Sequence, residues 1–193
     1  MYSGFETTTP PTALALRAAV KTDLKNFSIF CNHVLTPAAI QNILEGPDVR
    51  KLGTVKIGGF IGPAHVSTVI GTEPYDFFAE EFQKPVVVAG FEPLDVIQAI
   101  LMLVRQINEG RHEVENQYIR AVTAEGNLKA QAEVAEFFES RESFEWRGLG
   151  EVPYGALRLR PQYSRFDAEK RFSMVTRMRM TIRPANAARS CAE

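Results

Sequence analysis

The chain has 193 residues, 45% of them hydrophobic with 13 phenylalanines, and a formal charge of −1 at a pI of about 6.3. Such a composition suits one well-filled core and excludes a disordered chain, and the near-neutral balance leaves no electrostatic case for nucleic acid or an anionic membrane. Two cysteines, Cys31 and Cys191, exclude a disulfide framework and any four-cysteine iron–sulfur or zinc site within one copy.

In chain order, strands alternate with helices. Thr7 to Thr9 followed by Pro10 and Pro11 opens a helix to about Val20, with Leu14, Leu16 and Ala18 to Val20 as its apolar surface. Asn26 to Val34 predicts a strand, and Thr36–Pro37 then cap and start a helix ending near Gly46. Lys56 to Ile61 predicts a third strand, closing on Gly62 and Pro63, with His65 in the loop beyond it. A helix from about Pro74 to Phe82 precedes Pro85 to Ala89, an apolar β-branched run that suits a strand buried on both faces.

Pro93 to about Glu109 predicts the longest helix, with Leu94, Ile97, Ile100, Leu101 and Val104 at helical spacing and a stop at Gly110. Gln117 to Val122 alternates as a fifth strand, and Asn127 to Phe138 predicts a further helix. After Glu142 the pattern gives way to loops and short strands. The fold class is therefore α/β, a mostly parallel sheet of Rossmann-like βαβ units with flanking helices. The expected organisation is an α/β domain over 1–140, a loop-rich extension packed on it over 141–172, and a disordered Arg-rich tail over 173–193.

The tripeptide Gly-Phe-Glu occurs twice, at Gly4–Glu6 and Gly90–Glu92, each time where a strand hands over to a helix. Only Met1, Tyr2 and Ser3 precede the first copy, so the first strand reads as truncated, its missing length exposing a sheet edge. The N-terminus lacks the basic and apolar regions of a signal peptide, and the longest apolar stretch, Ala99 to Val104, is far short of the ~20 residues a spanning helix needs. Both point to a soluble cytoplasmic protein.

In a parallel sheet, strand ends line up on one rim, where such folds keep their ligands. Glu6, His33, His65 and Glu92 are each placed at a different strand end, a set able to bind a metal, relay protons or hold a partner's backbone. The plainer readings stand beside it. Glu6 and Glu92 suit helix N-termini, His33 and His65 suit structural hydrogen bonds, and His112 suits a solvated surface. Cys31, within an apolar strand, reads as a buried inert thiol, and nothing near Cys191 organises it. The sequence GLG at Gly148–Gly150 lacks the spacing of a phosphate loop.

Six segments, GFETTTP (Gly4–Pro10), GPAHVSTVIG (Gly62–Gly71), PVVVAGFEPLD (Pro85–Asp95), VENQYIRAV (Val114–Val122), FEWRGLG (Phe144–Gly150) and FDAEKRF (Phe166–Phe172), resemble in register successive motifs of the HypD family. The match covers the second α/β domain of that family and the connection leaving it. The resemblance implies a non-enzymatic scaffold of nickel–iron hydrogenase maturation. It would work with a HypC-type chaperone and a HypE-type cyanide donor to assemble an Fe(CN)2CO centre.

It also implies Glu6, Thr7, Thr8, His65, Ser67, Glu92 and Asp95 facing the cleft between two domains. The family's 4Fe-4S cluster and its cysteine motifs fall on segments this chain lacks, with Cys191 at most a relic of the first cluster cysteine. The expectation is thus a truncated or split HypD-like chain without cofactor or maturation activity alone. Three other readings remain open. One is a small metal- or ligand-binding α/β domain using His33, His65, Glu6 and Glu92. Another is a hydrolase with Glu92 or His65 as base, and the last a gene remnant.

Overall fold

The computed structural model describes residues 2–46 and 57–172. Cys191 and the rest of the expected tail 173–193 lie outside the described residues, as does Lys56 at the start of the third expected strand. The chain is mixed α/β with parallel strands and flanking helices, as its alternating pattern predicts.

Strand β1 (Tyr2–Gly4) pairs in parallel with β2 (Cys31–His33), and α1 (Thr9–Lys21) crosses between them. Helix α2 (Thr36–Glu45) follows β2 directly. A separate parallel sheet has the order β3–β4–β5, from Phe60–Pro63, Val86–Ala89 and Val114–Asn116. Between β3 and β4 lie α3 (Ala64–Ile70), a short 3₁₀ turn (Glu73–Tyr75) and α4 (Asp76–Glu80). The 17-residue α5 (Pro93–Glu109) connects β4 to β5 and ends on left-handed Gly110 (φ 66°), as a glycine C-cap should.

Beyond β5, α6 (Leu128–Phe137) runs straight into β6 (Phe138–Ser140). Strands β7 (Ser143–Trp146) and β8 (Gly150–Pro153) form an antiparallel hairpin, and β9 (Leu157–Leu159) returns antiparallel to β6. A 3₁₀ segment (Pro161–Phe166) and α7 (Ala168–Arg171) complete the described chain.

Two cores result. Leu16 and Ala19 of α1, Ile29 and Cys31, Phe137, Phe138, Leu157, Leu159 and Phe166 close one. Tyr75, Phe78, Val86, Val88 and Val122 close the other, and the opposite face of β4 packs Val87 and Ala89 on Ala99 of α5. Period-two alternation thus buries β4 on both sides, each large apolar side chain adding about 1.5–3 kcal/mol of transfer free energy. Arg141 stitches the first core's rim, donating to the Cys31 and Leu157 carbonyls (both 3.1 Å) and pairing with Glu169.

Several expected elements differ. The second strand is Cys31–His33 rather than Asn26–Val34, and the helix expected from about Pro74 to Phe82 is a 3₁₀ turn followed by Asp76–Glu80. The fifth strand is Val114–Asn116 rather than Gln117–Val122. There the Asn116 side chain accepts from the Tyr118 N–H (2.9 Å) and donates to the Val122 carbonyl (2.8 Å), folding 117–122 into a turn. The loop expected around His65 is instead α3. Its β-branched Val66, Thr68, Val69 and Ile70 disfavour helix, but burial of Ala64, Val66 and Ser67 overrides that propensity.

Candidate functional site

Because the parallel strands fall into two sheets, the expected single rim becomes two strand-end clusters. The first follows β1. Glu6 is buried and serves α2: its carboxylate accepts from the Thr36 backbone N–H (2.6 Å) and hydroxyl (3.0 Å), supplying negative charge at that helix N-terminus. Desolvation raises its pKa above the ordinary carboxylate value, partly offset by these hydrogen bonds and its own backbone N–H. Thr8 is exposed and its hydroxyl donates to the Phe5 carbonyl (3.0 Å); Thr7 is half-buried. A shallow cavity of about 270 Å³ opens beside Glu6, between Leu35, Pro37, Ile70 and Phe77.

The second cluster lies past β3 and β4. Asp95, buried in the first turn of α5, accepts from Gln117 (2.9 Å) and twice from Arg120 (2.9 and 2.5 Å). Hydrogen bonds from Arg120 hold its carboxyl far below the usual carboxylate range. The same guanidinium, stacked 4.0 Å from the Tyr118 ring centroid, reaches Glu92 (2.8 Å). Gln117 closes the network by accepting from the Gly90 N–H (3.2 Å). Gly90 is required here, since a Cβ would collide with the Asp95 carboxylate and the Tyr118 ring.

His65 is exposed in the first turn of α3, its ring 4.3 Å from that of Phe91. Ser67, two residues on, is fully buried and donates to the Pro63 carbonyl (3.0 Å), with the Tyr75 hydroxyl 3.4 Å away. Tyr75 links the two clusters electrostatically. Burial pushes its phenol up to about 12, and the nearby Glu6 charge adds to that rise.

His33 joins neither cluster. It is fully buried, edge-on to Phe138 (5.7 Å), with no hydrogen-bond partner on either ring nitrogen, and burial lowers its pKa to about 4. The β2 strand end at which it was expected faces the first core. Cys31 donates to the Leu157 carbonyl (3.2 Å), and desolvation pushes its thiol up to about 11, away from the thiolate a metal requires. Among the described residues, no three His, Cys, Asp or Glu gather to hold a metal ion. These residues therefore do not fit a 4Fe-4S cluster, and the small metal-binding-domain reading is not favoured.

Sequence reasoning missed Thr36, Gln117 and Arg120, whose partners lie 22 to 30 residues away. It also missed Phe5 and Phe91, which are 48% and 60% exposed. The duplicated Gly-Phe-Glu was the available signal for the two aromatics. Among the described residues, no helix is long and apolar enough to cross a membrane.

Over residues 1–193 the chain matches the family described as HypD: Hydrogenase formation hypA family. It is 87% identical over 173 residues to the hydrogenase maturation factor HypD of Rhizobium leguminosarum bv. viciae, covering 90% of this chain and 45% of that protein. The HypD of Cupriavidus necator is 68% identical over 171 residues (89% of this chain, 45% of the relative). That of Escherichia coli K12 is 46% identical over 169 residues (88% and 44%). The chain thus spans about half the length of the curated relatives it matches. Motifs at both strand-end clusters lie within the matched region, and the chain belongs to the HypD family of hydrogenase formation proteins.

Proposed function

We propose that this chain acts in the cytoplasm as a scaffold segment of hydrogenase maturation, a non-enzymatic docking surface. Its partners would be a HypC-type chaperone and a HypE-type cyanide donor, and the Fe(CN)2CO unit would be their shared cargo, not a resident group of this chain. One observation carries the docking surface: each Gly-Phe-Glu turns its phenylalanine out to solvent directly beyond a parallel strand (Phe5 48%, Phe91 60% exposed), beside polar side chains held in place. Aromatic anchors ringed by fixed polar groups are what protein recognition uses.

The seven residues of the rim divide by what they touch. Thr8, His65 and Glu92 are exposed and meet a partner directly, together with half-buried Thr7. Buried Glu6, Ser67 and Asp95 are positioning residues, fixing α2, α3 and Arg120. Ser67 and Cys31 are both buried and hydrogen-bonded to carbonyls, so neither is presented as a nucleophile. A membrane or nucleic acid is not among the proposed partners.

Affinity capture tests this reading. The tagged chain should retain a HypC-type protein, alone or with the remaining half of a HypD protein supplied separately. Phe91→Ala and His65→Ala should each weaken retention about tenfold or more while leaving circular dichroism unchanged. No retention in either format, or retention indifferent to both substitutions, overturns it.

A further inference from the structure

The shallow cavity beside Glu6 lies between α2 on one side and Ile70, Pro74 and Phe77 on the other. Among the described residues that line it Glu6 alone is charged, and two aromatic residues, Phe77 and Tyr154, stand among its walls. The outer stripe of α5, where Leu94, Ile97, Leu101 and Val104 are exposed, has no such charge within it to select an occupant.

An ionised carboxylate withdrawn from water ordinarily needs a cation to offset its desolvation. Glu6 is only 4% exposed, yet the donors that reach it are neutral: the Thr36 N–H and hydroxyl, and its own backbone N–H. Among the described residues no Lys, Arg or His offsets its charge. Three donors on a group with about four acceptor sites leave room for one more.

We propose that this cavity receives a lysine side chain of a docked protein, its ammonium donating to Glu6 and its aliphatic stem lying against Pro37, Ile70 and Phe77. Tyr154, 63% exposed, stands at the mouth, where an aromatic face attracts a cation. Its φ of 52° is a left-handed conformation that disfavours a residue with a Cβ, and its N–H donates to the Glu142 carbonyl (3.1 Å). The backbone thus fixes where that ring departs.

Size and geometry select the occupant. At about 270 Å³ and open to solvent, the cavity falls below the range of small-molecule sites, which enclose most of their ligand, and suits a single side chain. Thr36 engages both carboxylate oxygens, so no free edge remains for the two-pronged grip of a guanidinium. An ammonium is a point charge and needs only one oxygen. The inference rests on the docking reading of the first rim cluster and deepens it: Glu6, which fixes α2, also meets the partner's charge.

Side-chain analogues test the site without any partner protein. N-acetyl-lysine amide, N-acetyl-arginine amide and the uncharged N-acetyl-norleucine amide are each titrated into the isotope-labelled full chain and read by amide NMR shifts. The lysine analogue should shift Gln41, Ile70 and Ser140 saturably between about 1 and about 50 mM, the range one side-chain anchor supports. The norleucine analogue should bind at least about tenfold more weakly. Glu6→Gln keeps an acceptor for Thr36 and should bring the lysine analogue down to the norleucine level. Tyr154→Leu, at an exposed position, should weaken the lysine analogue about threefold or more, and it decides the matter if Glu6→Gln does not fold.

No saturable shift at those amides overturns the proposal, as does equal binding of the norleucine analogue or tighter binding of the arginine analogue. So does lysine binding indifferent to Glu6→Gln in a folded chain, or to Tyr154→Leu. Capture of a HypC-type protein involves none of these probes, so the docking reading and the lysine site fail separately.

Discussion

Neutral His33, wedged against Phe138 without a hydrogen-bond partner, makes stability depend on pH in a direction that follows from burial. Its pKa is about 4 in the native protein, against an unperturbed value near 6.5. Above about 6.5 both states are neutral. As pH falls, the unfolded chain takes up a proton that the native state refuses, so stability drops until about pH 4, by about 2 kcal/mol at pH 5. Glu6, whose carboxyl is raised, works in the opposite sense. His33→Leu should remove the first effect: the difference in urea midpoint between variant and wild type should widen in the variant's favour from pH 7 to pH 5. An unchanged difference would mean that His33 does not titrate as its burial requires.

The sequence showed His33 and its apolar neighbours, but Phe138, which decides its surroundings, is remote in the chain. The same limit separates Glu6 from Glu92. Identical tripeptides gave both glutamates, yet Thr36 draws one inside and Arg120 holds the other at the surface. Local sequence set the turn that carries each, and tertiary partners set the charge's task.

At the scale of elements, Gly90 shows how little room the second cluster has. Gly90→Ala forces a methyl into the space of the Asp95 carboxylate and Tyr118 ring, breaking the register between β4, α5 and the turn after β5. The expected cost is about 1–3 kcal/mol in chemical denaturation, with loss of partner retention at the rim. Wild-type stability in that variant would show that the loop relaxes freely.

Helices opened at Pro and strands of consecutive β-branched residues were legible, because a helix-starting Pro and apolar runs are local signals. The expected Thr36 cap was not, since Leu35 holds that position and the Thr36 hydroxyl donates to Glu6. The helix α3 was not, since its residues favour extended chain and only burial against Tyr75 and Phe78 makes it helical. The outward stripe of α5 looked like an ordinary core face. Periodicity reports that a face is apolar, not which of two sides the sheet will take.

For the whole molecule, the two cores are joined by α6, which packs on both α1 and α3 before running into β6. The half that bears the first rim cluster is closed by strands from the far end of the described chain, with Leu157, Leu159 and Phe166 set against Leu16 and Ile29. Residues 138–166 therefore complete the packing around α1 and β2.

Strand β4 lies between β3 and β5 with both faces covered. Its amide protons should be the slowest in the molecule to trade for deuterium, because the sheet's middle strand opens only when everything around it does. The exchange rates of Val86 and Val88, which are locked to β5 and its flanks, would then serve as an internal gauge of global unfolding, readable without denaturant.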